Sequence, residues 1–337
     1  FVFYSKNTTV CMTRPPAKKF IPLLNILIAL LIVAVGVVIT VGYIILFGVP
    51  HFNSNQPTTE RKIYIKPDSN FVSLWTAPPD WSMMKLDPDE KQLVIYGKDL
   101  IAHTAEYLGP KGSVKHMSNG MNCQNCHLDA GTKTFGNNYG SVASTYPKYR
   151  ARSGAIENIY KRVNDCFERS LNGKALDTNS KEMQAIVSYI KWLGKDVKKG
   201  NKPLGSGLKD LAFLDRPADP EKGSTVYTQK CQSCHQADGV GQMNADKTAY
   251  TYPPLWGNHS YNDGAGLYRM ASFAKYVKYN MPQGTTHSAP QLSDEEAWDV
   301  AAFVNSQSRP KKDIKKDWPK IEEKPFDHPF GPYADGF

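Results

Sequence analysis

The cysteines carry most of the chemical information in this sequence. Four of the six lie in two clusters of identical spacing, CQNCH at 123–127 and CQSCH at 231–235. The spacing C-x-x-C-H allows two thiols to add to the vinyl groups of a porphyrin while the adjacent imidazole ligates its iron. A thioredoxin-like thiol pair would leave both histidines unexplained, and a shared zinc site would have to join two separate modules. The sequence therefore predicts two covalently attached haem c groups, held by Cys123, Cys126 and His127 and by Cys231, Cys234 and His235.

Each cluster lies between segments with helical patterning. Asp87 and Asp219, each followed by a proline, occupy positions typical of helix N-caps ahead of the first and second cluster. An amphipathic segment follows each cluster, at 179–194 and 292–307, and can pack against the opening helix. This repeated organisation resembles the cytochrome c fold twice over. We therefore predict an all-α chain with two tandem haem domains, at 86–194 and 219–307, joined by a linker at 195–218.

The second iron needs a further axial ligand, which we expect late in the second domain. Met281 lies 46 residues after His235, in the run KYNMPQGT that precedes the closing amphipathic segment. A thioether ligand raises the reduction potential of a haem, which suits a haem that releases electrons. We predict His235 and Met281 as the axial pair, with His287 and Met243 as the alternatives to Met281.

The first domain has no comparable Met-Pro sequence, and its candidate ligand is a cysteine. Cys166 lies 39 residues after His127, and Arg162 is among the cations that flank it. Neighbouring cations lower the pKa of a thiol and favour the thiolate, the form that binds iron. We therefore predict His127 and Cys166 as the axial pair of the first haem. The alternatives are an inert buried cysteine, or ligation by His103 or His116.

The apolar residues are concentrated near the start of the chain. Residues 21–48 contain no charged side chain and, as a helix, would be longer than the hydrocarbon core of a bilayer. We predict an uncleaved membrane anchor at 21–48, a cytoplasmic segment at 1–20, in which Cys11 is an inert thiol, and a connecting segment at 49–85. Because haem c is attached outside the bacterial cytoplasmic membrane, both haem domains are expected in the periplasm.

Composition limits the classes of function. The chain of 337 residues has 41% hydrophobic residues and a mean hydropathy of −0.47, which excludes a polytopic membrane protein and wholesale disorder. Its net charge of +9 is compatible with nucleic acid, acidic lipid or a small anion. The sequence has no nucleic-acid-binding motif or basic run interleaved with aromatics. We therefore expect no nucleic-acid partner and interpret the basic charge as favouring an anionic substrate.

Three runs in the first domain resemble a known family. They are NGMNCQNCHLDAGT at 119–132, YPKYRARSG at 146–154 and RVNDCFERSLNGK at 162–174. All three are similar to the dihaem thiosulfate dehydrogenases that form tetrathionate, and the resemblance covers about residues 86–307. It implies His127 and Cys166 as ligands of the first iron. By motif position, it also implies that the substrate is held by Arg152, Arg162 and Ser170.

The same resemblance implies a second haem ligated by histidine and by methionine or lysine. Some members of the family have a lysine directly before that methionine and exchange the two ligands with redox state. This sequence has Asn280 at that position, so the exchange is not expected here.

The sequence as a whole therefore predicts a membrane-anchored dihaem cytochrome that oxidises thiosulfate to tetrathionate. It would pass the electrons to a respiratory acceptor such as an oxidase or another respiratory complex. The alternative is a tethered dihaem electron carrier without catalytic activity. The tail at 308–337, rich in proline and aromatic residues, either lies along a partner, which would favour the carrier, or packs as a strap on its own domain.

Overall fold

In a computed structural model of the chain, the described residues are 28, 30–35, 37–38, 74–328 and 331. The chain divides into two compact units, Phe1–Ser69 and Asn70–Phe337. The residues described within the first unit are helical and exposed. Most of the predicted anchor at 21–48, the segment at 1–20 with Cys11, and residues 49–73 lie outside the described part. None of the helices among the described residues has the length and apolar character that a membrane span requires.

The second unit contains both predicted haem domains and is mainly helical. A 3-10 helix at Asp80–Lys85 precedes the first domain, and others lie at Cys123–Asn125, Gly266–Tyr268 and Ile321–Glu323. The α-helices of the first domain are α1 (Pro88–Ala102), α2 (Thr104–Leu108), α3 (Leu128–Gly131), α4 (Val142–Thr145), α5 (Ile159–Asp165) and α6 (Lys181–Leu193). Those of the second are α7 (Pro220–Lys230), α8 (Gln232–His235), α9 (Met270–Asn280) and α10 (Asp294–Ser306).

The first domain is built on the crossing of its two longest helices. The carboxylate of Asp87 caps α1 as predicted, accepting from the backbone of Asp89 and Glu90 at 3.1 and 3.0 Å. The helices approach so closely at Gly97 that a Cβ atom there would lie 2.0 Å from the carbonyl oxygen of Ala185. A glycine is therefore needed where α1 meets α6.

The second domain repeats this arrangement with α7 and α10. Asp219 caps α7, and Ser293 forms a capping box with Glu296 at the start of α10. At Gly223 a Cβ atom would lie 1.9 Å from the carbonyl oxygen of Asp299 on α10. The two domains thus share one packing arrangement. The second C-x-x-C-H cluster follows α7 directly, whereas α2 and a loop separate α1 from the first cluster.

The all-α prediction describes the framework but missed two small antiparallel hairpins. β1 (Lys148–Arg150) pairs with β2 (Ala155–Glu157), and β3 (Gln242–Met243) pairs with β4 (Tyr250–Tyr252). Strands of two or three residues are too short to produce a readable alternation of polar and apolar residues. The first hairpin follows the haem cluster in the chain and leads directly into α5.

The described part of the tail packs on its own chain, as in the strap alternative, but it is not confined to one domain. Arg309 donates to the carbonyl oxygens of Leu255 and Val304 at 3.2 and 2.6 Å. Further along, the backbone N–H of Trp318 donates to the carbonyl oxygen of Arg152 in the first domain, at 2.7 Å. The described part of the tail therefore contacts both haem domains.

We expect Gly97→Ala to destabilise the first domain, because the added methyl group would overlap the backbone of α6. Overpacking of this kind costs about 1–3 kcal/mol. Chemical denaturation of the haem-loaded protein would measure the loss. Gly266→Ala is the control, since a Cβ atom at Gly266 meets nothing within 4 Å. Equal stability of the two variants would contradict the close crossing.

Candidate functional site

The first C-x-x-C-H cluster lines a cavity of about 220 Å³. The 3-10 helix at Cys123–Asn125 turns the cluster inward, and the apolar faces of α1 and α6 contribute to the wall. His127 pairs its Nδ1 with the carbonyl oxygen of Asn137 at 2.5 Å, which leaves Nε2 as the nitrogen available to a metal. Burial lowers the pKa of His127 to about 4, so the imidazole is neutral, as an iron ligand must be.

Cys166 lines the same cavity. It begins a turn of π-helix, Cys166–Ser170, that continues α5, and Phe167 beside it is 1% exposed and anchors the turn in the core. Single π-helical turns are frequent at functional sites, because they redirect side chains without ending the helix. The structure therefore brings His127 and Cys166 to one cavity, as the sequence predicted.

Arg162 lies one helical turn before Cys166 and points at its sulfur. Its Nη1 donates to Sγ at 3.3 Å. The pKa of Arg162 is well above its ordinary value, and the largest cause is its electrostatic interaction with the Cys166 sulfur. The guanidinium is therefore charged, and it donates a hydrogen bond to the Cys166 sulfur.

A second pocket of about 470 Å³ adjoins this cavity, and we call it the anion pocket. Cys126, His127, Cys166 and Ser170 line both spaces, so the pocket opens on the first haem site. Among the described residues, its wall has more cationic than acidic side chains. The cations are Lys148, Arg150, Arg152, Arg162, Arg169 and Arg269, and the carboxylates are Glu157 and Asp165. Such an excess of positive charge in a concave site attracts small anions.

The three residues predicted to hold substrate, Arg152, Arg162 and Ser170, all line the anion pocket. The side chain of Arg152 is 17% exposed, and its Nη1 donates to the carbonyl oxygen of Gly264 at 2.5 Å. Burial lowers the pKa of Arg152 to about 10, which leaves it charged at neutral pH. Lys174, the last residue of the run RVNDCFERSLNGK, is exposed and does not line the pocket.

Several wall residues of the anion pocket were not predicted from the sequence. Lys148 and Arg150 are two residues apart on β1, so their side chains lie on one face of that strand. This spacing can be read in the run YPKYRARSG. Arg269 and Trp318 come from the second domain and the tail. No local spacing connects them to Cys166, so only the tertiary structure could reveal them.

The second cluster lines a cavity of about 530 Å³. His235 pairs its Nδ1 with the carbonyl oxygen of Pro253 at 2.8 Å, and burial lowers its pKa. Met281, directly after α9, lines the same cavity. Neither His287 nor Met243 lines it. The geometry therefore agrees with Met281 as the ligand opposite His235.

The rival ligands in the first domain lie away from its cavity. The side chain of His103 is 54% exposed and lies 3.9 Å from the carboxylate of Asp99. His116 is also exposed, and neither histidine lines the first cavity. Among the candidates considered, only Cys166 reaches it.

The two haem cavities share a wall. Met121, Asn122 and Cys126 line both of them. The second domain is tied to this wall by Tyr276, whose hydroxyl donates to the carbonyl oxygen of Asn125 at 2.8 Å. Asn280, the residue before Met281, donates to the carbonyl oxygen of Phe135 at 3.2 Å. The two cavities are therefore adjacent, and contacts between the two domains hold them so.

Comparison with known proteins agrees with this arrangement. Residues 113–198 match the SoxA/TsdA cytochrome c domain family, and residues 220–308 match the cytochrome c family. The chain is 44% identical over 207 residues to a thiosulfate dehydrogenase of Psychrobacter arcticus, covering 60% of this chain and 61% of that protein. It is 40% identical over 198 residues to the thiosulfate dehydrogenase of Allochromatium vinosum, covering 58% of this chain and 72% of that one. The chain belongs to the thiosulfate dehydrogenase family.

A solved structure supports this membership. The fold is similar to that of thiosulfate dehydrogenase TsdBA from Marichromatium purpuratum, with a TM-score of 0.64 and 30% identity. The match covers 71% of this chain and half of that one. As in the family, this chain binds two haem c groups covalently, and the two C-x-x-C-H clusters with their cavities provide the thiols and imidazoles that such attachment needs.

We expect Cys166→Gly to remove the ligand opposite His127 while leaving both haems attached, because the thioether cysteines are unchanged. Electron paramagnetic resonance of the oxidised protein should lose the signal of a low-spin thiolate-ligated haem. Haem content, measured as the pyridine haemochrome, should remain at two per chain. An unchanged spectrum would exclude Cys166 as an iron ligand.

We expect Met281→Ala to lower the reduction potential of the second haem, since the thioether that stabilises the reduced iron is lost. A decrease on the order of 100 mV is typical of such an axial change. Potentiometric titration followed by visible absorption would measure it. Met243→Leu, which alters a methionine outside the cavity, should leave both potentials unchanged.

Proposed function

We propose that this protein oxidises thiosulfate to tetrathionate at the first haem and passes the electrons on through the second. The reaction joins the outer sulfurs of two thiosulfate dianions, 2 S2O3(2−) → S4O6(2−) + 2 e−, and one new S–S bond forms. The observation that carries the proposal is the anion pocket, a concave and strongly basic space that opens directly on Cys166.

The main barrier to this reaction is repulsion between the two substrates. Two unit charges 4 Å apart repel by about 4 kcal/mol at an effective dielectric constant of 20, and two dianions by several times more. Partly desolvated guanidinium groups offset this repulsion better than solvated lysines, because their planar donors can bind an anion at two points. Both Arg152 and Arg162 lie in the wall of the anion pocket, which supports this role.

The side chains of the pocket would have different roles in the reaction. The guanidinium of Arg152 and the hydroxyl of Ser170 would hold the sulfonate oxygens of the substrate. Arg162 would hold the Cys166 sulfur in place through the 3.3 Å contact. The haem, when bound, supplies an iron that accepts one electron at a time.

Two haems suit a reaction that releases two electrons. The shared wall at Met121, Asn122 and Cys126 gives the electrons a short route from the first cavity to the second. Methionine ligation raises the potential of the second haem and makes it the exit site. We propose that the acceptor is a respiratory protein at the outer face of the cytoplasmic membrane.

We also propose that the chain is anchored in that membrane by a single helix at 21–48, with its N-terminus in the cytoplasm and its haem domains in the periplasm. The uncharged run of 28 residues and the site of haem c attachment support this orientation. Carbonate extraction of membranes, followed by protease treatment of spheroplasts, would test it. Release of the protein by carbonate, or protection of the haem domains, would contradict the proposal.

We expect Arg152→Gln to slow the reduction of the haems by thiosulfate about 100-fold, because loss of a charged hydrogen bond costs about 1.5–3 kcal/mol and two dianions are involved. Stopped-flow absorption at the haem bands would measure the rate. Lys174→Gln, which removes an exposed cation outside the pocket, is the control and should leave the rate unchanged.

An assay of the wild-type protein distinguishes the enzyme from the non-catalytic carrier. Thiosulfate should reduce its haems, or tetrathionate should oxidise the reduced haems. If neither occurs in protein with both haems intact, the chain is an electron carrier and the proposed reaction is wrong.

A further inference from the structure

The described part of the tail reaches the anion pocket although it lies beyond both matched family domains. We call residues 311–328 the C-terminal strap. Trp318 and Pro325 of the strap line the anion pocket together with residues of the first domain. The wall of the pocket is therefore built from the first domain, the linker, the second domain and the strap.

Asp317 of the strap binds an arginine of the pocket wall through two hydrogen bonds. Arg169 donates from Nη1 and Nη2 to the two carboxylate oxygens of Asp317 at 2.7 and 2.8 Å. The side chains are 12% and 9% exposed, so this pair is shielded from solvent. Two parallel bonds fix the plane of a guanidinium as well as its position.

The same strap residues hold Arg152, a predicted substrate ligand. Its Nε lies 3.9 Å from the Asp317 carboxylate, and its backbone carbonyl accepts from Trp318 N–H at 2.7 Å. The guanidinium carbon of Arg152 lies 5.0 Å from the centre of the Trp318 ring. Three contacts thus hold Arg152: a hydrogen bond to its backbone carbonyl, a nearby carboxylate and an aromatic ring beside its guanidinium.

The backbone of the strap is bent to make these contacts. Trp318 has φ of 54°, in the left-handed region that a bulky side chain rarely adopts. Such strain persists where surrounding contacts enforce it, and it clusters at functional sites. A second contact fixes the far end of the strap, since Asp327 accepts from Arg269, another wall arginine, at 3.0 and 2.7 Å.

We propose that Asp317 and Trp318 are positioning residues of the anion pocket, which hold Arg152 and Arg169 in the orientation that binds a dianion. This inference rests on the proposed thiosulfate function. It makes the strap part of the site. Arg162 and Ser170, by contrast, are positioned within the first domain itself.

The direction in which one substitution changes the anion affinity distinguishes positioning of the arginines from neutralisation of their charge. Asp317→Asn removes a negative charge beside an anion site, so charge alone would strengthen anion binding. Loss of the two-point contact would instead let both guanidiniums reorient and would weaken binding. A contribution of Asp317 to folding alone would leave the anion affinity of the folded protein unchanged.

The test uses the full haem-loaded chain and two measurements. Isothermal titration calorimetry with sulfate, a dianion that cannot couple, gives the affinity of the pocket without turnover. Steady-state assays with thiosulfate give KM and kcat separately. For Asp317→Asn we expect sulfate affinity to fall and KM to rise about tenfold, as expected for loss of one charged hydrogen bond, with kcat changed less than about twofold.

Matched variants complete the experiment. The control is Asp313→Asn on the same strap, because Asp313 is exposed and accepts a hydrogen bond from the backbone of Lys315. This variant should bind sulfate as tightly as the wild type does. Asp317→Glu, which keeps the charge, should recover part of the affinity. Trp318→Leu should weaken sulfate binding through loss of the aromatic face, and it replaces Asp317→Asn if that variant does not retain both haems.

Two results would overturn the proposal. One is sulfate affinity that stays the same or rises in Asp317→Asn with both haems in place. The other is an equal loss in Asp313→Asn. If the wild type binds sulfate but does not react with thiosulfate, the proposed function fails while the positioning of the arginines can still be judged from the binding data.

Discussion

The contact between Arg162 and the sulfur of Cys166 is the interaction on which the rest of the site depends. A guanidinium that is largely withdrawn from solvent is stable only when its charge is compensated. At Arg162 the Cys166 sulfur is one partner, 3.3 Å from Nη1. The helix α5 and the π-helical turn after it are the structural means of keeping both on one side of the first cavity.

The same need for compensation explains the walls of the anion pocket. Arg169 and Arg269 each have a carboxylate partner from the tail, and Arg150 lies 3.9 Å from Glu157. Lys148 has its pKa lowered by burial and then by the neighbouring Arg150 and Arg162. The pocket thus has more cations than carboxylates in its wall, and several of these cations are held in place by a carboxylate.

Local patterns in the sequence predicted the parts of the structure that depend on local chemistry. The C-x-x-C-H clusters and the caps at Asp87 and Asp219 depend on residues a few positions apart, and the structure has them where they were expected. Arg269 and Trp318 could not be predicted, because they reach Cys166 only through the packing of two domains and a tail. The first hairpin was missed for a different reason, since three-residue strands have no period to detect.

Cys126 belongs to the attachment cluster of the first haem and also lines the cavity of the second. Haems held in two cavities with a common wall would each be subject to the charge of the other. The two irons would then form one coupled redox unit, in which reduction of the first makes reduction of the second less favourable. In such a unit, a midpoint potential belongs to the pair rather than to either metal.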